Sequence, residues 1–228
     1  ATKERCSEDP ANSLVISHVR TQTKRGAATR QKLLETTVSL LHQHGYTATT
    51  IHLLAQVTSI SRGSILHQFP TRLDLIMAVV DLVIDEINTV GNSMLNAEPD
   101  PIKRLLLYFD VAWHVLNLPD SQALFEIQAA ANWDQELATR IKPVTDLWYA
   151  ESIDRIVLKV AAEAGLPNPQ IIIPQQRLLS AAMRALVRDF AFHDSKAPLH
   201  AALGALRDHY TAFVKQALDQ TSPARMGD

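Results

Sequence analysis

Three hydroxyl residues, Thr50, Ser61 and Thr71, each stand directly before a run with helical apolar spacing. A Ser or Thr there accepts a hydrogen bond from an orphan backbone N–H and fixes a helix start. After Ser61 come Arg62, Gly63 and Ser64. A helix N-terminus carries partial positive charge and free N–H groups. Gly63 lets the backbone approach a large partner closely, and the Arg62 guanidinium is shaped to grip a phosphate or the O6/N7 edge of guanine. His67 follows one helical turn later, and Lys24, Arg25, Arg30 and Arg72 supply further positive charge. The chemistry offered is non-covalent recognition of a polyanion.

Covalent chemistry is poorly supplied. The sequence has no HExxH, GxSxG, GxGxxG or GxxxxGK[ST]. His42 and His44 are two apart on a helical pattern and diverge. The single cysteine, Cys6, sits in a polar segment and cannot pair within the chain. The reading is therefore not an enzyme, with no cofactor and no metal. The lone cysteine, the lack of an apolar N-terminal leader and the absence of any run of eighteen apolar residues predict a cytoplasmic protein with no membrane partner.

Charge is distributed accordingly. The net charge of −2 over 228 residues hides a sharp asymmetry. From His18 to Arg72 there are seven Lys or Arg and one acid, Glu35; from Asp81 to Asp228 there are 13 basic residues against 19 acidic ones. One end is suited to face a polyanion and the remainder forms an acidic body.

The elements that must position these groups are helices. Glycine is scarce and alternating β-branched runs are nearly absent; the short exception, Ile171 to Ile173, lies between Pro169 and Pro174. The expected class is all-α: an N-terminal three-helix helix-turn-helix domain, then a larger helical domain. A polar arm is expected over 1–25, the reading domain over 26–72, the body over 73–220 and a tail over 221–228. Leu33, Leu34, Thr37, Val38 and Leu41 predict a first helix from about Ala27 to His44, ended by Gly45 as a left-handed cap. Two short helices follow, capped by Thr50 and Ser61 around a turn at Thr58, Ser59 and Ile60. Pro70 ends the second. Thr71 opens a long helix that fades from Gly91. Further helices are expected at about 101–117, 121–131, 134–164, 174–193 and 199–220, with Pro143 splitting or kinking the third of these.

The block TTIHLLAQVTSISRGSILHQFPTRLDLI, residues 49–76, resembles the helix-turn-helix of the TetR family of bacterial regulators. The resemblance is close from about Thr29 to Val80. Beyond that it covers only helix number and spacing. Ala55 fits the small residue where the short helices cross, and Phe69, Arg72, Asp74 and Leu75 fit the closing pattern. Thr58 and Ser59 replace the usual Ala-Gly of the turn, so a positive φ at Ser59 would carry strain. Leu66 stands where the family commonly has a phosphate-touching tyrosine, with His67 and Gln68 beside it to compensate in part.

The resemblance implies a ligand-released repressor that binds a near-palindromic duplex as a homodimer, paired through its last two helices. An intrachain helical hairpin would have the same sequence pattern. It also implies a cavity in the body that takes a small apolar or aromatic inducer. Phe109, Trp113, Phe125, Trp133, Trp148 and Tyr149 are the candidate walls, and His114 and Gln128 the candidate polar handles. A competing reading is a helical protein–protein adaptor that keeps a degenerate helix-turn-helix.

Overall fold

The computed structural model describes residues 24–219; the expected tail at 221–228 and most of the expected arm, residues 1–23, lie outside them. Ten α-helices make up the described residues: α1 Lys24–Ala48, α2 Ile51–Thr58, α3 Arg62–Gln68, α4 Arg72–Asn96, α5 Pro101–Leu116, α6 Pro119–Ala130, α7 Gln135–Trp148, α8 Arg155–Glu163, α9 Ile172–Phe192 and α10 Ala197–Asp219. A wide π turn, Tyr149–Asp154, joins α7 to α8, and a tight 3-10 turn, Pro169–Ile171, leads into α9. The isoleucine triplet is thus a helix start and not a strand.

Helix starts follow local chemistry. Thr50 Oγ1 accepts from Leu53 N at 3.1 Å and Ser61 Oγ from Ser64 N at 3.1 Å. Thr71 and Asp74 close a reciprocal capping box at the head of α4: Asp74 N donates to Thr71 Oγ1 at 3.0 Å, and Thr71 N donates to Asp74 Oδ2 at 3.0 Å. Asp100 caps α5 by accepting from Ile102 N and Lys103 N, and Asp134 caps α7 by accepting from Leu137 N.

Three expected boundaries move. The first helix begins at Lys24, so Lys24 and Arg25 form its first residues. Gly45 does take a positive φ, but with φ 75° and ψ 175° it is not a left-handed cap; a short helical turn resumes after it as far as Ala48. That backbone region is open to glycine almost alone. Helix α4 runs through Gly91 to Asn96. Pro143 does not split the helix, which runs on to Trp148; Pro143 and Thr139, whose carbonyl loses its intrahelical donor, are both exposed residues of α7. The irregularity comes six residues later, at the π turn.

The apolar interior forms two clusters, and they do not divide at residue 72. The first joins Leu33, Leu41, Leu54, Ile65 and Phe69 of α1 to α3 and the segment after it to the first half of α4, and continues onto Leu124 and Ile127 of α6 and Leu137 and Ile141 of α7. The second gathers Leu95 at the end of α4 with Leu105 and Phe109 of α5, Val160 of α8, Leu179 and Met183 of α9, and Tyr210 and Val214 of α10. Helix α4 is the element shared by both. Polar ties fasten the end of α1 and the head of α4 to α7 and its cap: Tyr46 Oη donates to Asp134 Oδ2 at 3.2 Å, and Arg140 Nη1 to Asp74 Oδ1 at 2.9 Å.

Candidate nucleic-acid interface and internal cavity

Helix α3 presents its first turn outward. Ser61, Arg62, Gly63, Ser64 and His67 are all exposed, while Ile65 beneath them is fully buried. Ser61 and Ser64 hydroxyls lie 2.9 Å apart, so either can turn a proton outward. Arg62 has no ion pair or side-chain hydrogen bond among the described residues, and the space beside Gly63 where a side chain would stand is empty. A free guanidinium at a positively polarised helix end is the arrangement that a phosphate or a guanine edge demands. Thr50 lies exposed at the head of α2.

The turn between α2 and α3 does what its sequence requires. Ser59 sits at φ 57°, ψ 24°, the left-handed region, and is the only described residue other than glycine with a positive φ. Thr58 Oγ1 bonds back to Leu54 O at 2.7 Å and accepts from Ile60 N at 3.3 Å, so side-chain bonds hold the turn. Lys32 Nζ reaches Thr58 O at 3.2 Å from α1. Leu66 turns inward against the first cluster. Gln68 does the same, its Oε1 buried and unpartnered, so only His67 of that pair faces outward.

Two arginines expected at the interface are engaged elsewhere. Arg72 folds back over the Tyr46 ring, 4.0 Å from its centroid, and donates to Thr49 O at 2.9 Å and to Tyr46 O. Arg30 lies 4.3 Å over the Phe69 ring. Arg72 ties the head of α4 to the end of α1 and the turn before α2, with its Nε and one terminal nitrogen committed to carbonyls, and Arg30 ties α1 to the residue after α3. Lys24 and Arg25 open α1, and their side chains lie outside the described ones.

Between the two apolar clusters is a cavity of about 90 Å³. Ile87, Leu124 and Trp148 reach it from the first cluster, and Leu95, Tyr108 and Val111 from the second. Of the eight residues expected at a ligand site, Phe125, Trp148 and Tyr149 line it. Phe109 is buried within the second cluster and packs on Tyr210. Trp113 stacks edge-on with Phe190. His114 is exposed, and Gln128 is half-buried outside the lining. Trp133 is 82% exposed, at the solvent-facing turn before α7.

The polar groups of this cavity escaped sequence reasoning. Asn88 and Asn92 of α4 face it, and Asn88 Oδ1 accepts from Trp148 Nε1 at 2.9 Å. Gln176, Ser180 and Arg184 of α9 face it from the other side. Burial pushes the Tyr108 hydroxyl far above its ordinary pKa, so this wall residue stays a neutral phenol. A signal did exist: Asn88 stands four residues beyond Ile84 and one beyond Ile87, and Gln176 four beyond Ile172 and three before Leu179, polar types on faces that are otherwise apolar.

Residues 33–79 match the family described as bacterial regulatory proteins, tetR family. Over 155 residues the chain is 27% identical to the HTH-type transcriptional regulator CymR of Pseudomonas putida, covering 63% of this chain and 75% of that one. The fold is similar to that of a transcriptional regulator from Saccharomonospora viridis in complex with choline, with a TM-score of 0.63 and 16% identity over 83% of this chain and 96% of that one. It is similar also to a TetR-family regulator from Rhodococcus sp., with a TM-score of 0.59 and 19% identity over 84% and 99%. The family match falls on the helices that build the exposed Ser61–Ser64 tip and on the first part of α4. Residues 33–79 thus match the DNA-binding part of the TetR family of bacterial regulatory proteins, and the chain is a DNA-binding transcriptional regulator.

Proposed function

We propose that the protein is a ligand-released repressor in which 26–72 reads DNA and 73–220 senses the ligand and dimerises. The observation that carries this reading is the position of the cavity. It lies at the seam between the apolar cluster that holds α3 and the cluster that holds α9 and α10. A ligand that spreads this seam displaces α4, and α4 carries the capping box and arginine that seat the reading head. The free protein samples both arrangements, and the ligand favours one that no longer fits the operator. The choline-bound relative supports a small-molecule site in a chain of this fold.

On the DNA side, Arg62, Ser61, Ser64, Gly63 and Thr50 make the contacts, with His67 at the edge and Lys24 and Arg25 along the backbone. Arg30 and Arg72 act by bracing the reading head. The dimer forms through α9 and α10. Leu178, Ala181 and Ala185 make an exposed apolar stripe on α9, opposite the buried Leu179, Met183 and Val187, and Ala201, Ala202 and Ala205 are exposed on α10. Two reading heads then meet successive major grooves of a near-palindromic site, about 34–36 Å apart.

The test is selection of bound duplexes from a random library, then footprinting and sedimentation on the winning site. A two-fold footprint from a dimer is the expected result. A monomer protecting a non-repeated sequence would overturn the dimeric reading. Linkage supplies the second arm: a true effector must weaken operator binding by the same factor by which operator weakens effector binding, roughly 5–150-fold.

A further inference from the structure

The cavity is not uniformly apolar. Gln176, Ser180 and Arg184 are spaced by four residues on α9, which aligns them on one helix face. The opposing surface is mostly apolar, with Leu95 of α4, Val111 and Val115 of α5 and Leu124 and Phe125 of α6, interrupted by Asn88 and Asn92 of α4 and Ser121 of α6. A ligand here meets a polar rail on one side and, on the other, mainly hydrocarbon broken by the two α4 amides.

Two groups on that rail are incomplete. Among the described residues Arg184 is the only charged side chain of the lining, with no carboxylate beside it there, and its guanidinium lies 5.9 Å from the Phe125 ring centroid. It is half-buried, its single hydrogen bond goes to the Tyr149 hydroxyl at 3.1 Å, and it makes no ion pair among the described residues. The neighbouring acids pair with other arginines: Asp154 Oδ2 accepts from Arg177 at 2.7 Å while its Oδ1 is buried without a partner, and Glu151 pairs with Arg155. Gln176 is 2% exposed. Its Nε2 donates to Ser180 Oγ at 2.9 Å, and its Oε1 makes no hydrogen bond of ordinary geometry, the Tyr108 hydroxyl being the polar group beside the amide. Since a hydroxyl both donates and accepts, the amide can turn about and still bond Ser180, leaving N–H groups at its free end. Unmatched charge and an unmatched buried amide are costly, and each is relieved by the same kind of ligand atom.

We infer that the cavity takes a small organic monocarboxylate, with Arg184 holding the carboxylate, the Gln176–Ser180 pair supplying further hydrogen bonds, and the apolar body lying against α4, α5 and α6. This rests on the reading of the cavity as the effector site. A single negative charge is what one arginine matches; a phosphate dianion would keep half its charge unpaired against hydrocarbon. A cation would face Arg184 with no carboxylate to offset it. The volume of about 90 Å³ suits a chain of about four carbons as it stands, since cavities that hold benzene are nearer 150 Å³. A phenyl-sized body requires the walls at the seam to part.

The experiment titrates the full chain with two sets of probes matched in shape and differing in charge: butyrate, butyramide and butylammonium, then benzoate, benzamide and benzylammonium. Tryptophan emission reports binding, because Trp148 is part of the cavity wall. Each carboxylate is expected to bind roughly ten- to a hundredfold more tightly than its amide, and the ammonium probes more weakly still. Arg184→Gln should bring carboxylate and amide to equal affinity, while Arg184→Lys keeps most of the preference. Amide binding as tight as carboxylate in the wild-type chain, or ammonium binding tightest, overturns the anion inference and leaves the cavity reading standing. Failure of all six probes to bind overturns both. An Arg184→Gln chain that folds and keeps the wild-type preference overturns the assignment to Arg184. The wild-type series needs no variant, so a misfolded substitution does not shelter the inference.

Discussion

The two apolar clusters use polar residues in opposite ways. Around the first, hydroxyls cap α2, α3 and α4 and hold the Thr58–Ser59 turn, Gln68 alone turns an unpartnered amide oxygen inward among the described residues, and the interior is closed: Leu33, Leu54, Ile65 and Val80 are wholly inaccessible. At the inner edge of the second cluster, Asn88, Gln176, Ser180 and Arg184 point inward around unfilled space. A closed core with an exposed, prearranged tip suits a partner much larger than the protein. An open seam with unmatched polar groups suits one that fits inside. The reading head is rigid where it is built, and the adjustable part lies some distance away along α4.

The largest expected effect tests the closed core. Leu54→Ala removes a fully buried side chain that holds α2 against α1. It should cost about 2–5 kcal/mol of unfolding free energy, read from the urea midpoint at unchanged slope, and DNA binding should fall with it. A loss below about 1 kcal/mol would mean that the first cluster is as yielding as the seam. Arg62→Ala separates the tip from its support. With no partner among the described residues, Arg62 should be removable without change in the urea midpoint, while cognate duplex binding weakens by about 1–3 kcal/mol. Equal weakening on every duplex would make Arg62 a phosphate contact and not a base contact.

The seam makes the opposite forecast for an added methyl. Gly91 lies mid-helix, and a side-chain carbon there would meet Val115 Cγ2 at 3.7 Å, ordinary contact, while entering the cavity. Gly91→Ala should stabilise the chain by about 0.5–1 kcal/mol through helix propensity and at the same time weaken binding of the carboxylate probes. Calorimetric melting and the emission titration check the two halves. Destabilisation would show that the space is needed by the fold itself.

What could be read from the sequence follows from range. Caps at Thr50, Ser61 and Thr71 and the turn at Ser59 depend on neighbours within four positions and stand as read, whereas the exit at Gly45 and the end of α4 do not. Arg72 could not be placed, because the Tyr46 ring and the two carbonyls that hold it lie more than twenty residues away. Aromatic residues misled for a related reason. Trp113, Phe109 and Trp133 are equally apolar in sequence, yet one stacks on α9, one fills the second cluster and one faces solvent. Which aromatic reaches a cavity depends on helix crossings that no local pattern encodes. Pro143 misled by its usual meaning: it and Thr139, whose carbonyl loses its donor, are both exposed residues, and α7 runs on to Trp148.

The smallest expected effect concerns the link between reading head and body. Asp74 spends one oxygen on the capping box and the other on Arg140 of α7. The Arg140 bond first, and the Thr71 bonds after it, hold the Asp74 carboxyl below its ordinary pKa of 3.8. A depressed folded value means that ionised Asp74 contributes stability above the unfolded pKa, and that this contribution is lost as pH falls through the folded one. The window therefore lies at and below about pH 4. At pH 7, Asp74→Asn should cost under about 1 kcal/mol, most of it from the cap. Arg140→Ala should cost less, about 0.5 kcal/mol or below, because both partners are substantially solvated and the pair is screened by salt. Urea unfolding at pH 7 and pH 3 distinguishes the sources. The difference between wild type and Asp74→Asn should shrink at pH 3, where the wild-type carboxyl is losing its charge. Arg140→Ala should approach wild type as salt rises at pH 7, whereas Asp74→Asn should keep its cap deficit. If Arg140→Ala instead changed operator affinity without changing stability, this tie would be part of the coupling between the two clusters and not merely a surface bond.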